Sequence, residues 1–374
     1  MISKELRSTR ITYADTHGDE AAYREFGIKE ATLMRYRQLQ KKDAVEVDDT
    51  IVGQSLIRQN QSLIKQLGTM KDVTNAIVDC CRVELSKKSF SPIKVPHRAN
   101  AKESLDMHLL RSDAQVGQYT DASWVQGLSH YDSETYRERV GKLTEKVLLF
   151  RGEDEGSLGL NKLVVHHLGD QVEGENIFKG QSFYLDLNLV NQLFHSVEVE
   201  SNFLLSMAKV FPEVEVFCVI GNHGRPGAKG QNHHKTNFDY IFYRILQMAL
   251  AHQKNIKIYV SESPSMVVQH GEKLFILNHG DTAKSWQGIP FYGLERMFRR
   301  LPGLYNMVID YCLCGHHHQP ANIADRILMN GCLPGGSDLS INSMGSPIFH
   351  RRRYSIFIRS TESTERAIST LKTR

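Results

Sequence analysis

The sequence predicts a layered α/β fold behind a small all-α helix-turn-helix region. Three observations predict it. From about residue 105 the chain alternates short apolar runs with amphipathic stretches, the pattern of strands joined through helices. Before that, apolar residues recur at spacings of three and four, the period of an α-helix. Finally, the apolar runs end in similar polar groups, several beside glycine, as expected where parallel strands open onto one crevice.

Taken in order, residues 1–45 are polar, and Ala22, Phe26, Ile28, Leu33 and Tyr36 fall at the apolar spacings of a helix-turn-helix with Gly27 at the turn. Residues 46–104 hold a second helical stretch, "DDTIVGQSLIRQNQSLIKQLGTMKDVTNAIVDCCRVELS", then the basic, aperiodic "KKSFSPIKVPHRANAKES", which reads as a linker. A larger domain is expected over 105–360. "LDMHLLR" is a strand, "SETYRERVGKLTEKVLLF" a helix and "NKLVVHHL" a strand. "SFYLDLNLVNQLFHSVEVESNFLLSMAKVF" is one long helix or two, "VEVFCVI" a strand, "FDYIFYRILQMALAH" a helix and "IKIYVSE" a strand. "SMVVQHGEKLFILNHG" is a hairpin candidate. "YCLCGH", "RILMNG" and "RRRYSIFIRS" are further strands, and 361–374 is expected to be a tail.

The 374 residues suggest roughly two domains. A composition of 41% hydrophobic and 24% charged residues is that of a soluble globular protein. No apolar run approaches the ~18 residues of a membrane span, and "MISKELRSTR" does not read as a signal peptide, so no membrane partner and a cytoplasmic location are expected. The net charge of +4 permits an anionic partner without demanding one. Cys218, Cys312, Cys314 and Cys332 lie in or beside strand-like runs, where buried structural thiols sit. Cys312 and Cys314 form C-x-C, and no second pair completes a zinc-finger spacing.

The strand ends carry the chemistry. Asp113-Ala-Gln115 follows the first strand, Gly169-Asp170-Gln-Val-Glu173 the second and Gly221-Asn222-His223 the third. Asn278-His279-Gly280-Asp281 and Gly315-His316-His317-His318 follow two later ones. Oxygen and nitrogen ligands without thiolates suit a hard or borderline divalent cation: Mn²⁺, Mg²⁺, Fe²⁺ or Zn²⁺. There are too many for one tetrahedral site. Two ions about 3.5–4 Å apart, bridged by a carboxylate, would use them all. Glycines before Asp170, Asn222 and His316 allow the sharp turns that aim these side chains.

In this order, Asp113-x-Gln115, Gly169-Asp170-x-x-Glu173, Gly221-Asn222-His223, Asn278-His279-Gly280 and Gly315-His316-x-His318 resemble the five motifs of the calcineurin-like metallophosphoesterases, over roughly 105–360. The resemblance implies a layered β-sandwich flanked by helices, and a hydrolase acting on phosphoester bonds with two divalent metal ions. It implies that Asp113, Gln115 and His318 hold the first ion, that Asp170 bridges, and that Asn222, His279 and His316 hold the second. His223 would serve the substrate phosphate as stabiliser or general acid, with Glu173 orienting it. Two positions depart from the family. Gln115 stands where a histidine is usual, and an amide favours Mn²⁺ or Mg²⁺ over Zn²⁺. Gly224 stands where many members carry an acid, followed by Arg225, which either meets a phosphate or is a solvated loop cation. His317 is read as a spacer, and His166 and His167 as packing or supporting residues; His233 and His234 are candidate substrate contacts.

The helix expected over Lys29–Leu39 would turn Lys29, Thr32, Arg35, Arg37 and Gln38 outward as a DNA-binding face. With it, the substrate becomes nucleic acid, most simply DNA, and the enzyme a manganese-dependent nuclease similar in plan to phage or prokaryotic members described as DNA-repair-exonuclease-like. "RRR" at 351–353 and "FRR" at 298–300 would extend an anionic track, and the helix near 50–85 would serve a possible homodimer. The rival readings are a phosphodiesterase or phosphatase of nucleotides or cyclic nucleotides, and a DNA-binding protein whose catalytic domain has decayed.

Overall fold

The computed structural model describes residues 3–40, 77, 79, 83, 91–97, 105–153, 159–175, 177–230, 232–286, 289–337, 352–360 and 365–373. The chain forms two compact units, Met1–Asp72 and Val73–Arg374. Most of the helical stretch and linker expected over 46–104, with Cys80, Cys81 and the proposed dimer helix, lies outside the described residues.

In the first unit, α1 (Lys4–His17) is capped by the Ser3 side chain, and Gly18 at φ 90° breaks it from α2 (Asp19–Phe26). Gly27 closes α2 in the left-handed conformation, φ 59° and ψ 33°, which glycine adopts without a Cβ penalty. A third helix, α3, covers 30–40. Ile11, Ala14, Ala22 and Leu33 form its core, packed by Tyr13, Tyr23, Phe26, Ile28 and Tyr36. Lys29 and Arg35 are exposed and Thr32 is half-buried. Arg37 requires a correction. Rather than facing outward, it is forked onto Asp19 at 2.8 and 2.9 Å and onto Asp15 at 2.7 Å, because the turn places two carboxylates within reach of its guanidinium.

The second unit is a sandwich of two mixed sheets. The first runs β11-β10-β1-β2-β3-β4. Its centre is parallel: β1 (Leu105–Arg111), β2 (Leu160–His167), β3 (Glu213–Cys218) and β4 (Ile256–Val260). β10 (Arg352–Ser360) adds antiparallel to β1, and β11 (Glu365–Thr373) to β10. The stretch expected to be a tail is therefore largely the edge strand of this sheet. The second sheet runs β5-β6-β7-β9-β8, with β5 (Ser265–His270) and β6 (Lys273–Asn278) as the expected hairpin, and β7 (Tyr311–Cys314), β8 (Ala321–Ile323) and β9 (Ile327–Met329) beyond.

Leu110, Val164, Leu168, Phe217 and Val219 of the first sheet meet Val268, Phe275, Leu277, Leu313 and Leu328 of the second. Strand residues alternate in direction, so the other face of the first sheet meets the helices. There α4 (Ser133–Glu153), α5 (Leu189–Ala208) and α6 (Phe238–Ala249) pack, α5 on β3 and α6 on β4. Of the long stretch read as one helix or two, Leu189–Ala208 is α-helical. Asn188 caps α5, and a short 3₁₀ turn at Gln181–Tyr184 precedes it. A helix the sequence reading missed, α7 (Phe291–Tyr305), covers the outer face of the second sheet through Leu294, Phe298 and Leu301. Cys218, Cys312, Cys314 and Cys332 are buried and free. Among the described residues, no helix is long and apolar enough to cross a membrane.

Candidate metal centre

Parallel pairing of β1, β2 and β3 carries their C-terminal ends to one edge of the sandwich, and β6 and β7, parallel to each other, send their following loops to the same place. The turns are tight. Asp113, Gln115, Asp170, His316 and His318 all have left-handed backbones, with φ between 45° and 68°. Non-glycine residues pay for this conformation, and it concentrates at functional sites. Gly169 turns in the same way at φ 91°, whereas Gly221 and Gly315 admit close neighbours. A Cβ on Gly221 would overlap the Asp170 carboxylate, and one on Gly315 would overlap that of Asp113.

The expected ligands form two groups. In one, ligand atoms of Asp170, His279 and His316 all lie within 4.8 Å of one another. His279 Nε2 faces Asp170 Oδ2 at 2.9 Å and Asn222 Oδ1 at 3.2 Å. Its other ring nitrogen, Nδ1, donates to the Leu168 carbonyl at 2.7 Å. That bond fixes the ring so that Nε2 points at the two oxygens, the usual way a ligating imidazole is oriented. In the other group, His318 Nε2 lies 3.3 Å from Asp113 Oδ1, and Asp113 also accepts the His316 backbone N–H at 3.0 and 3.1 Å. Asp113 and Asp170 are fully buried.

Gln115 Nε2 stands 3.3 Å from both His318 Nε2 and His223 Nε2. With both rings protonated, their Nε2–H groups need an acceptor here, so the terminal amide belongs turned by half a turn, with its oxygen accepting from the two imidazoles and in the position from which it could also meet a cation.

His223 lies beside the groups, one-fifth exposed. Its backbone N–H donates to Asp170 Oδ1 at 2.7 Å, and its Nδ1 meets Glu173 Oε2 at 3.0 Å. Glu173 is held in turn by Gln181, whose amide donates 2.9 Å bonds to its side-chain and backbone oxygens.

Electrostatics follow this arrangement. Burial disfavours a proton on His279, but Asp170 outweighs it and raises the ring to about 10. For His223, burial is outweighed by Glu173 and Asp170, which raise it to about 9. Burial would raise the Asp170 carboxyl; His279 and His223 reverse that and lower it. Burial also opposes a proton on His318, yet Cys332 and Asp113 keep the ring well above the ordinary value. His316 goes the other way, lowered to about 4 by burial and by His279. Without an ion the site is thus a knot of imidazolium–carboxylate pairs, which a divalent cation can replace charge for charge. The donor set of buried carboxylates, imidazoles and an amide fits such a cation.

Asp239, at the start of α6, escaped the sequence reading. It is fully buried, and its carboxylate accepts four backbone N–H groups: Asp170 at 2.8 Å, Gln171 at 3.0 Å, Val172 at 3.3 Å and Gly221 at 2.9 Å. Burial and the neighbouring Asp170 push its carboxyl up to about 6, against the pull of those donors. Nothing in "NFDYIF" distinguishes it from any acid in a first helical turn. Asn237 completes the clasp by donating to the Gly221 carbonyl at 2.8 Å. Gly224 now has a reason as well, since a Cβ there would overlap the Asn237 side chain.

Arg225 is half-buried in the same loop. His233 and His234 pack against each other with ring centroids 4.0 Å apart, and His233 caps a short turn by accepting from Lys235 N. Among the described contacts, no hydrogen bond or ion pair joins these three to the ligand groups. His317 has its ring against His316 and is absent from the three-ligand group.

No family model matches the chain, and no curated protein matches it. Solved structures resemble it faintly. A Thermotoga maritima protein solved by solution NMR is 15% identical at a TM-score of 0.26, covering 71% of this chain and 99% of that one. Vps29 of Chaetomium thermophilum is 9% identical at 0.28, covering 71% and 96%. The sulfate thiohydrolase SoxB of Thermus thermophilus, in complex with glycerol, is 8% identical at 0.27, covering 71% and 57%. At these TM-scores none of the three carries an argument about this chain.

Proposed function

We propose that this chain is a metal-dependent phosphodiesterase, and that its substrate is a nucleic acid, most simply DNA. One observation carries the hydrolase reading: two ligand groups, built on the buried carboxylates of Asp170 and Asp113, meet beside a histidine paired with Glu173. Asp113 and His318 would hold one divalent cation, Asn222, His279 and His316 a second, and Asp170 would bridge them. When bound, such a pair lowers the pKa of water toward neutrality and neutralises charge on a phosphoryl group. The chain's own residues do the rest. Glu173 fixes His223 through Nδ1, so that Nε2 carries a proton at neutral pH. That proton is then available to the leaving oxygen, a contribution of about 10²–10⁴ in rate. Gln115, bonded to His223 and His318 alike, sets the distance between the acid and the first ion's ligand. Because the donors are mainly oxygen and imidazole, Mn²⁺ is the expected ion, with Mg²⁺, Fe²⁺ or Zn²⁺ as alternatives.

The nucleic-acid reading is supported by the helix 30–40, with Arg35 exposed on it and Lys29 exposed just before it. The test is one assay series in Mn²⁺ with the full chain, offered linear DNA, circular single-stranded DNA and bis-p-nitrophenyl phosphate. Asp170→Asn should abolish all activity; a fully active Asp170→Asn enzyme would refute the hydrolase reading. Lys29→Ala with Arg35→Ala should weaken cleavage of DNA and spare the small ester. Equal effects on both would shift the reading to a nucleotide-sized substrate.

A further inference from the structure

The sandwich interior holds a second histidine group, which shares no residue with the candidate centre. His108 on β1, His166 on β2 and His270 on β5 project between the sheets and are buried, at 0%, 0% and 5% exposure. One ligand atom from each lies within 4.8 Å of the others. Around them stand Phe217 and Phe275, the first 5.2 Å and the second 5.4 Å from the His270 ring. Three imidazole nitrogens converging on one point form a donor set of the kind that divalent transition ions take.

From this we infer a third metal site: a single divalent transition ion, Zn²⁺ or Co²⁺ in type, held by His108, His166 and His270 as a staple between the two sheets. Geometry supports it. In a tetrahedral ion with bonds of about 2.0–2.1 Å to imidazole nitrogen, donor atoms lie ~3.3 Å apart and ring centroids ~5.2 Å apart. Here His108 Nδ1 and His166 Nε2 are 3.1 Å apart, and the three centroid separations are 5.4, 4.9 and 5.6 Å. As it stands, the His108–His166 pair shares a hydrogen bond. Loading an ion exchanges that bond for two coordinate bonds, and the shared proton moves to the far nitrogen of the ring that carried it. His166 Nδ1, buried without a hydrogen-bond partner, is free to take such a proton. Burial also lowers the His166 pKa well below the ordinary value, so the ring is neutral and its lone pair available. The ligands come from both sheets, with His270 in the second and the other two in the first, so the ion would resist their separation. The inference is independent of the phosphoesterase reading, since none of the three residues belongs to the candidate centre.

The test counts ions. The full chain is refolded in excess Co²⁺, desalted, and measured for bound metal and for the visible absorption of nitrogen-coordinated tetrahedral cobalt. His270→Phe, which places a phenyl beside Phe217 and Phe275, should carry one ion fewer per chain and lose that absorption. Equal metal content in the two proteins would overturn the site. If His270→Phe does not fold, the Asp170→Asn, His316→Ala double variant decides: retention of one strongly absorbing Co²⁺ supports the staple, and a metal-free double variant overturns it. Bound metal should also raise the unfolding temperature of the double variant, because an ion that binds only the folded chain stabilises it.

Discussion

Asp239 takes the backbone N–H of Asp170 at 2.8 Å and that of Gly221 at 2.9 Å through one oxygen, Oδ2. One side chain thereby ties the loop after β2 to the loop after β3, and so sets where Asp170 stands against Asn222. Asp239→Asn puts an NH₂ where one of these acceptors was. The expected result is a folded chain with metal affinity down by about 10–100-fold, the range seen when groups behind metal ligands are lost. Mn²⁺ titration monitored by calorimetry checks it; unchanged affinity would make the clasp a stability device only.

Asp239 also shows where sequence reading stops. Asp170, His279 and His316 were legible because each closes an apolar run within a short distance of glycine, a local signal. Asp239 acts on residues 69 and 18 positions away, and its own neighbourhood looks like an ordinary helix start. The same limit applies to Arg37, whose partners Asp15 and Asp19 come within reach only after the turns form. Strands β1 to β7 were legible from apolar runs. Helix α7 was not, because Gly293 and Pro302 interrupt its pattern. Nor was β11, where Ile368 and Leu371 stand three apart, a spacing foreign to a strand. Of the glycines expected to make the sharp turns, Gly169 does so at φ 91°, while at the other turns the left-handed backbones belong to the candidate ligands, a result of several loops crowding one point.

The His223–Glu173 pair predicts a pH dependence. His223 titrates near 9 in the folded chain against an ordinary 6.5. A group whose pKa rises on folding adds stability that is fully present below its unfolded value and is lost as pH climbs through the folded one. In chelator-treated protein, the unfolding temperature should therefore fall between pH 6.5 and about 9, and Glu173→Gln should flatten that fall. The measurement is a series of melts across this range for both proteins. An identical slope in the variant would remove Glu173 as the cause. His279, raised to about 10, extends the decline above pH 9 in either protein.

Metal uptake should release protons. Without an ion, His279 is protonated at pH 8, since Asp170 overcomes burial and raises it to about 10. As a ligand it must offer a bare Nε2. Calorimetric titrations with Mn²⁺ in two buffers of different ionisation enthalpy should report at least about one proton released per chain. Identical heats in both buffers would mean that His279 binds no ion.

Beneath the candidate centre, Arg111 on β1 forks onto Glu200 on α5, one bond at 2.9 Å and a shorter one, and both side chains are almost fully buried. Tyr136 donates to the same carboxylate at 2.9 Å, and Gln171, the residue after Asp170, donates to Tyr136 at 3.0 Å. A chain of polar groups thus runs from a buried charge pair to the loop after β2 that carries Asp170. Removing one partner of such a pair strands the other's charge in a low dielectric, at a cost of roughly 3–5 kcal/mol. Glu200→Ala should therefore destabilise the second unit by about that amount, measured by urea denaturation. Arg111→Met with Glu200→Leu removes both charges and should recover most of the loss, because apolar replacements of similar volume are often neutral. The double variant separates two roles for the pair. If stability returns but Mn²⁺ affinity does not, the network positions the loop through Tyr136 and Gln171. If both return, the ion pair serves the core alone.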